Sequence, residues 1–110
     1  MQVHLEYTIC VKEGEETKRM IFFDRTIEMS CLPSVGTIID LTDDPMPNWD
    51  EGFEVTRVLF NAKTGGWHVD LGEESETVQY APERTRRLVA DGWVLWESEH
   101  ERAGSPVSKL

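Results

Sequence analysis

Residues 32–71 read LPSVGTIIDLTDDPMPNWDEGFEVTRVLFNAKTGGWHVDL, and this stretch decides the fold because it predicts three successive strands. A Pro-x-x-Gly turn at 33–36 precedes the short strand Thr37–Leu41. Two further apolar runs, Phe53–Lys63 and Gly66–Leu71, follow after an acidic segment. Short strands separated by turn residues are typical of a small β domain.

The two strands Phe53–Lys63 and Gly66–Leu71 form the clearest supersecondary unit. If Thr64-Gly65 is a two-residue hairpin turn, the turn also sets the strand register. That register places Ala62 opposite Trp67, Phe60 opposite Val69 and Val58 opposite Leu71 on one face, with Asn61/His68 and Leu59/Asp70 on the other. The apolar alternation changes phase within the first strand, which indicates a bulge near Thr56-Arg57.

The segment 42–51, TDDPMPNWDE, joins the first of these strands to the hairpin. Its two prolines and four acidic residues predict a loop, and the loop is longer than a hairpin connection needs. Trp49 and Met46 are residue types that are enriched where protein partners dock. The segment is therefore the best candidate for a binding site, although Trp49 folded back over one end of the domain is the structural alternative.

The N-terminal residues predict two long strands. Val3–Val11 alternates apolar and polar residues, which is typical of a strand with one buried face, and it places His4 and Cys10 on the polar face. After a polar turn, a second strand is predicted over Arg19–Cys31. The charged pair Asp24-Arg25 interrupts this strand and predicts a bend, through which one strand serves two sides of a small barrel.

The C-terminal third predicts one helix and one further strand. Residues 72–79, GEESETVQ, are polar and acidic and predict a loop, with at most a short edge strand at its end. A helix over about 82–91 follows, with a proline and a glutamate in its first turn and Gly92 after its end. We predict a last strand at Trp93–Glu97 and a disordered tail at 98–110, where periodicity and aromatic residues are lacking.

Together these patterns predict a mostly β fold with one short helix. We expect five to six strands in a small antiparallel β-barrel or sandwich, with the helix packed over one end. A Pro-x-x-Gly turn, a short strand and then a hairpin resemble the pattern of SH3-like small barrels. Residues 1–97 form a single domain in this prediction, and residues 98–110 a flexible tail.

The chain carries a net charge of −10, and the excess lies in its centre. Residues 32–79 contain ten acidic and two basic residues, for a net charge of −8. We therefore expect no direct nucleic-acid binding, since phosphate contacts need clustered Lys and Arg. The one basic cluster, Arg84, Arg86 and Arg87, is predicted to face outward from the helix, and pairing with neighbouring carboxylates is favoured over binding of a phosphate.

Targeting signals are weak in this sequence. No apolar run approaches the roughly 18 residues that cross a membrane, and the N-terminus does not match a secretory signal. We therefore predict a cytoplasmic protein in which Cys10 and Cys31 are reduced and too far apart in the predicted strands to be bridged. The final Ser108-Lys109-Leu110 is a peroxisomal address only if the source is eukaryotic.

Catalytic and cofactor motifs are not recognisable: the sequence contains no phosphate loop, nucleophile elbow or zinc-protease motif. We predict no enzymatic activity, no cofactor and no metal site. His68 and Asp70 lie two apart on one strand face and are the nearest approach to a ligand pair, but polar-out alternation already accounts for them. The acids of the 42–51 segment do not follow EF-hand spacing, and Cys31 is predicted to be a buried thiol.

Two function classes follow from the acidic centre. The first is a non-enzymatic acidic protein-binding module that docks a protein partner of basic character through Asp43, Asp44, Met46, Trp49, Asp50 and Glu51. The second is an inhibitor that mimics nucleic acid, of the phage or mobile-element type, and presents carboxylates to a basic DNA- or RNA-binding protein.

Overall fold

The computed structural model describes residues 1–41 and 52–96. Their fold is mostly β with one short helix, as the sequence predicts. The elements are β1 Gln2–Glu13, β2 Glu16–Glu28, β3 Ile38–Ile39, β4 Phe53–Glu54, β5 Arg57–Asn61, β6 Gly66–Thr77, α1 Ala81–Ala90 and β7 Val94–Trp96. The predicted tail at 98–110 lies outside the described residues.

Five of the described strands form one sheet in the order β5-β6-β1-β2-β7, and β3 pairs with β4 in a second, two-stranded sheet. In the described part of the chain the sheet begins at β5 and ends at β7, so it is open and does not close into the barrel that the sequence allowed. The pairs β5–β6, β2–β7 and β3–β4 are antiparallel.

Strands β1 and β6 run in the same direction, so the sheet is mixed and not wholly antiparallel. Their contacts advance together along both strands: His4 meets His68, Cys10 meets Glu73 and Lys12 meets Val78. A parallel pair needs a long connection, and here the connection is the whole of residues 14–65. Sequence alternation alone cannot reveal this, because it does not specify which strands become neighbours.

The prediction for β1 is confirmed, with one exception. Its alternate residues Val3, Leu5, Tyr7, Ile9 and Val11 are buried. Cys10, placed on the polar face by the pattern, is also buried at 8% exposure. Because β1 lies between β2 and β6, side chains of its neighbours also flank this second face. The Cys10 thiol donates a hydrogen bond to Glu73 at 3.3 Å.

The predicted register of the hairpin is wrong by two residues. The structure pairs Phe60 with Trp67, Val58 with Val69 and Asn61 with Gly66, so the connection has four residues, 62–65, instead of two. The Asn61 side chain accepts hydrogen bonds from the backbone N–H groups of Lys63 at 3.0 Å and Thr64 at 3.3 Å. This side-chain turn competes with the two-residue turn, and a shift of two keeps every side chain on its predicted face.

The acidic residues 72–77, predicted as a loop, continue β6 as far as Thr77. Gly72 has φ +84°, a backbone conformation that suits glycine and allows a bend within the strand. Beyond it the strand stays next to β1, and the Val78 N–H reaches the Lys12 carbonyl at 3.1 Å. Backbone pairing to a central strand therefore outweighs the low β-propensity of the glutamates.

Helix α1 confirms the predicted helix, and the contacts around Gly92 show why the helix ends just before this residue. Gly92 has φ +107°, the Trp93 N–H bonds to the Leu88 carbonyl at 3.0 Å, and the Gly92 N–H bonds to the Val89 carbonyl at 3.1 Å. These two bonds are the Schellman pattern. They bring Trp93 and Leu88 together, and both side chains are buried.

The chain divides into two compact units, one formed by residues 1–5 with 26–72 and the other by residues 6–25 with the residues from 73 onward. The long strands β1, β2 and β6 each contribute residues to both units. Buried side chains of the first unit are Val3, Leu5, Ile39, Val55, Val69 and Leu71, and the principal ones of the second are Tyr7, Ile9, Val11, Ile21, Phe23, Ala81, Leu88 and Trp93. The helix among the described residues is too short and too polar to cross a membrane.

Candidate functional site

The six predicted partner-binding residues, Asp43, Asp44, Met46, Trp49, Asp50 and Glu51, lie outside the described residues. The structure does describe the residues that flank the segment carrying them. We call the residues on either side of it, 34–41 and 52–55, the loop base.

The loop base is held together by strand pairing. β3 and β4 are antiparallel neighbours, with Ile38 opposite Glu54 and Ile39 opposite Phe53. Two backbone bonds extend the pairing: the Val55 N–H donates to the Thr37 carbonyl at 2.9 Å, and the Gly36 N–H donates to the Val55 carbonyl at 2.8 Å. The residues that precede and follow segment 42–51 are therefore joined to each other by strand pairing.

Two buried apolar residues anchor this base, one from each side of the segment. Ile39 is buried on the incoming strand, and Val55 is fully buried directly after β4. Val55 lies in the break between β4 and β5, next to the predicted bulge at Thr56-Arg57. The Thr56 N–H and hydroxyl both bond to the Asp70 carbonyl, at 2.8 and 2.9 Å, so β6 also supports the break.

The loop base requires glycine at position 52, because the structure leaves no space there for a side chain. A Cβ atom at this position would lie 2.3 Å from the Ile38 Cγ2 atom, well inside van der Waals contact. The clashing methyl group is attached directly to the Ile38 Cβ atom, so it has little freedom to move aside. Any larger residue at 52 must displace Ile38 or shift the strand that carries it.

The charge at the loop base has one sign. Asp40 and Glu54 are exposed on the two sides of the segment. With the four acids of 42–51, residues 40–54 contain six carboxylates and no Lys or Arg. Exposed apolar side chains lie beside them, since Val35 is 64% and Ile38 is 41% exposed. An acidic surface next to apolar groups is the combination expected where a basic protein docks.

The acidic residues of β6 have different surroundings, because they meet an arginine. Arg84 lies 2.5 Å from Glu74 and 3.1 Å from Glu76, and it donates a hydrogen bond to the Tyr7 hydroxyl. Its guanidinium carbon lies 5.9 Å from the Tyr7 ring centroid. The prediction that Arg84 faces outward is therefore wrong, whereas the prediction that arginines pair with neighbouring carboxylates is confirmed for this residue.

The titration of this cluster follows from its burial. Burial raises the pKa of the Tyr7 phenol above its ordinary value, and Glu74 and Glu76 add to that increase while the positive Arg84 opposes it. Burial alone would lower the pKa of Arg84, but its hydrogen bonds to the two glutamates and its electrostatic interactions with Tyr7 and Glu74 raise the pKa overall. The cluster thus has a protonated phenol and a charged guanidinium at neutral pH. We infer that its role is to join α1 to β6.

His68 and Asp70, the nearest approach to a metal pair, are engaged with different partners. The Asp70 carboxylate binds Arg57 at 2.7 Å and accepts a bond from the Gly72 N–H at 2.8 Å. The His68 ring stacks on His4, with centroids 5.0 Å apart. Within residues 1–41 and 52–96, no group of three or more His, Cys, Asp or Glu side chains is placed to hold a metal ion.

The two histidines were not predicted to meet. Their contact depends on the parallel pairing of β1 with β6, for which the sequence has no local signal. A 2.9 Å hydrogen bond between the Thr26 Oγ1 and His4 Nδ1 atoms fixes the His4 ring. The Tyr7–Arg84 contact was missed because Arg84 was predicted to face outward. Glu74 and Glu76, two apart in the sequence, were a usable signal for the arginine that binds both.

The two cysteines differ in environment, and neither is bridged. Burial raises the pKa of the Cys10 thiol, and its hydrogen bond to Glu73 adds to the increase. A thiol with a raised pKa is a poor nucleophile. Cys31 is exposed, so the prediction that it is buried is wrong. It follows the end of β2 in a segment without regular structure.

Comparison with known proteins does not assign the chain to a group: no family model, no curated protein and no solved structure matches it.

Proposed function

We propose that this protein is a non-enzymatic binding module that docks a basic protein partner through the acidic segment 42–51 and the loop base around it. The observation that carries the proposal is the loop base itself. Two paired strands flank a segment that contains Trp49 and four acids, and two exposed carboxylates, Asp40 and Glu54, lie on either side of it.

Paired ends favour binding for an entropic reason. A connection whose two ends are held close together has fewer conformations than a free chain of the same length, so ordering it against a partner costs less. The six carboxylates would speed encounter with a basic surface and select against acidic ones. Trp49 and Met46 would supply apolar contact area, which charge alone does not provide.

The experiment uses two variants of the full chain, Trp49→Ala and the double variant Asp43→Ala/Asp44→Ala. Affinity capture followed by direct binding of the purified partner measures the dissociation constant. We expect Trp49→Ala to weaken binding by roughly 30-fold or more, as for a central aromatic contact. The double acidic variant should slow association and reduce its dependence on salt.

A matched control removes the same charge elsewhere. Glu15→Ala/Glu83→Ala deletes two exposed carboxylates that lie in the β1–β2 turn and in the first turn of α1. This variant should bind like the original protein. Unchanged affinity in both loop variants would refute the proposal, and so would an equal loss of affinity in the control.

Mimicry of nucleic acid is the second candidate, favoured by the run of six carboxylates without a base in residues 40–54. The acids of β6 support it less, because Glu74 and Glu76 are paired with Arg84. The two candidates differ in one measurement. A mimic occupies the partner's groove for nucleic acid, so duplex DNA or RNA must compete with this protein for the partner. For a module that docks elsewhere on the partner, added nucleic acid should not change binding.

A further inference from the structure

Strand β5 is an edge of the described sheet and presents apolar side chains to solvent. Among the described strands its one neighbour is β6. Leu59 is 58% exposed and Phe60 is 49% exposed, on opposite faces of the strand. A strand edge of this kind has backbone N–H and C=O groups available for another strand, and exposed apolar side chains make that pairing favourable.

The charge around β5 is unlike that of the rest of the chain. Residues 55–69 form the longest run without Asp or Glu, and they include Arg57 and Lys63. Two copies of a chain with net charge −10 repel each other over most of their surface. Strand β5 itself carries no acidic residue, and its Arg57 pairs with Asp70 of β6, so a second copy meets less repulsion at this edge than at the acidic segments.

The sequence of β5 is also complementary to itself. Its five residues, Arg57–Asn61, have a polar residue at each end and three apolar residues between them. An antiparallel strand pairs the first residue with the last, so a strand of this pattern matches a second copy of itself. Centring the pair on Phe60 would instead set Leu59 against Asn61, which leaves an apolar side chain opposite a polar one.

We propose that two copies of this chain associate through β5, antiparallel, about a two-fold axis at Leu59. Leu59 then faces Leu59 of the second copy, Val58 faces its Phe60, and Arg57 faces its Asn61. Phe60 already packs against Trp67 of β6, with ring centroids 4.8 Å apart, so Val58 of the second copy extends an existing apolar row. In a two-fold pair the β5 edge of each copy is covered by the β5 edge of the other, so no third copy can add at this edge.

The association is weak, because the contact is small. Five paired residues from each copy are far fewer than the roughly 20 to 30 residues a side of a standard interface. The dimer should therefore be populated at high concentration and dissociate on dilution. This inference concerns a surface outside the 42–51 segment and does not depend on the function proposed above.

Sedimentation equilibrium of the full chain from micromolar to near-millimolar concentration tests the proposal. The mass should rise from 12.6 kDa toward twice that value. Leu59→Lys places two like charges across the axis and should keep the mass at 12.6 kDa at every concentration. Leu59→Asp should behave in the same way, but an equimolar mixture of the two variants should dimerise, because opposite charges then face each other.

The mixing step distinguishes a broken interface from a misfolded chain, since two misfolded variants do not rescue each other. Val94→Lys is the matched control, because Val94 is 58% exposed on β7, the other edge of the described sheet, and it should leave the dimer unchanged. Three results would overturn the proposal. They are a mass of the original chain that stays at the monomer value, a mass above that of two copies, and a mixture of the two variants that does not dimerise.

Discussion

Two acidic segments of this chain, residues 70–76 and residues 40–54, have similar composition and different surroundings. In the first, Asp70 is paired with Arg57, and Glu74 and Glu76 are paired with Arg84. In the second, six carboxylates occur without a single basic residue. Composition alone predicts loops for residues 72–76 of the first and for residues 42–51 of the second. The structure shows that the first continues strand β6 and that its charges pair with arginines. The proposed function therefore rests on the second.

The largest expected effect comes from removing the cation of the first segment. Arg84→Ala leaves the Tyr7 hydroxyl and two carboxylates without their donor. Breaking a partly buried pair costs about 2 to 3 kcal/mol, below the full cost of a buried one because the Arg84 side chain is 30% exposed. Urea denaturation should show this loss as a lower midpoint with an unchanged slope.

Arg86→Ala is the matched control for Arg84→Ala. Arg86 lies on the same helix and is exposed, so its replacement should change the free energy of unfolding by less than about 0.5 kcal/mol. Arg84→Lys sharpens the comparison, because lysine keeps the charge but lacks the planar fork that reaches two carboxylates and a phenol. Equal stability of Arg84→Ala and Arg86→Ala would contradict the role given to Arg84.

The second prediction concerns the loop base. Gly52→Ala places a methyl group 2.3 Å from the Ile38 Cγ2 atom. Overpacking of this kind should cost about 1 to 2 kcal/mol, because either the Ile38 side chain must leave its rotamer or the strand that carries it must shift. The control is Gly66→Ala, whose Cβ atom would meet the Thr64 hydroxyl at an ordinary 3.4 Å. Thermal denaturation of the control should show no loss, and a loss in both variants would reject the steric argument.

The sequence predicts features of this fold that depend on residues close together in the chain better than features that depend on distant residues. Strand β1 and helix α1 follow from alternation and from local end signals such as Gly92, so their positions were predicted. The hairpin was predicted on the correct faces but two residues out of register, because the Asn61 side chain made a longer turn than the Thr64-Gly65 pair suggested. The candidate site was predicted in composition only, since the pairing of β3 with β4 joins residues that are distant in sequence.

The third prediction follows from the raised pKa of Tyr7, which belongs to the paired segment. The unfolded chain loses its phenolic proton near pH 10, whereas the folded chain retains it at higher pH. Stability is therefore fully present below pH 10 and should fall by about 1.4 kcal/mol per pH unit as pH rises above 10. Tyr7→Phe should remove this share of the alkaline loss.

Tyr80→Phe is the control for the alkaline series, since it removes a hydroxyl from a residue that is 57% exposed and leaves Tyr7, and therefore the loss that Tyr7 causes, in place. Denaturation measured at several pH values from 9 to 11 separates the two variants. If Tyr7→Phe and the original chain lost stability in parallel over that range, the phenol would not be the titrating group, and the account of its burial would be wrong.

The smallest effect on stability is the most direct comparison of the two segments, because the same chemical change is made in each. Glu76→Gln weakens a bond to Arg84 and should cost about 1 kcal/mol. Glu54→Gln removes one like charge from a segment without bases, so it should stabilise slightly, by less than about 0.5 kcal/mol. High salt should shrink the gain from Glu54→Gln, since it screens the repulsion between exposed charges. If both variants destabilised the protein equally, the carboxylates of both segments would stabilise the fold. The charge of the loop base would then be no argument for partner binding.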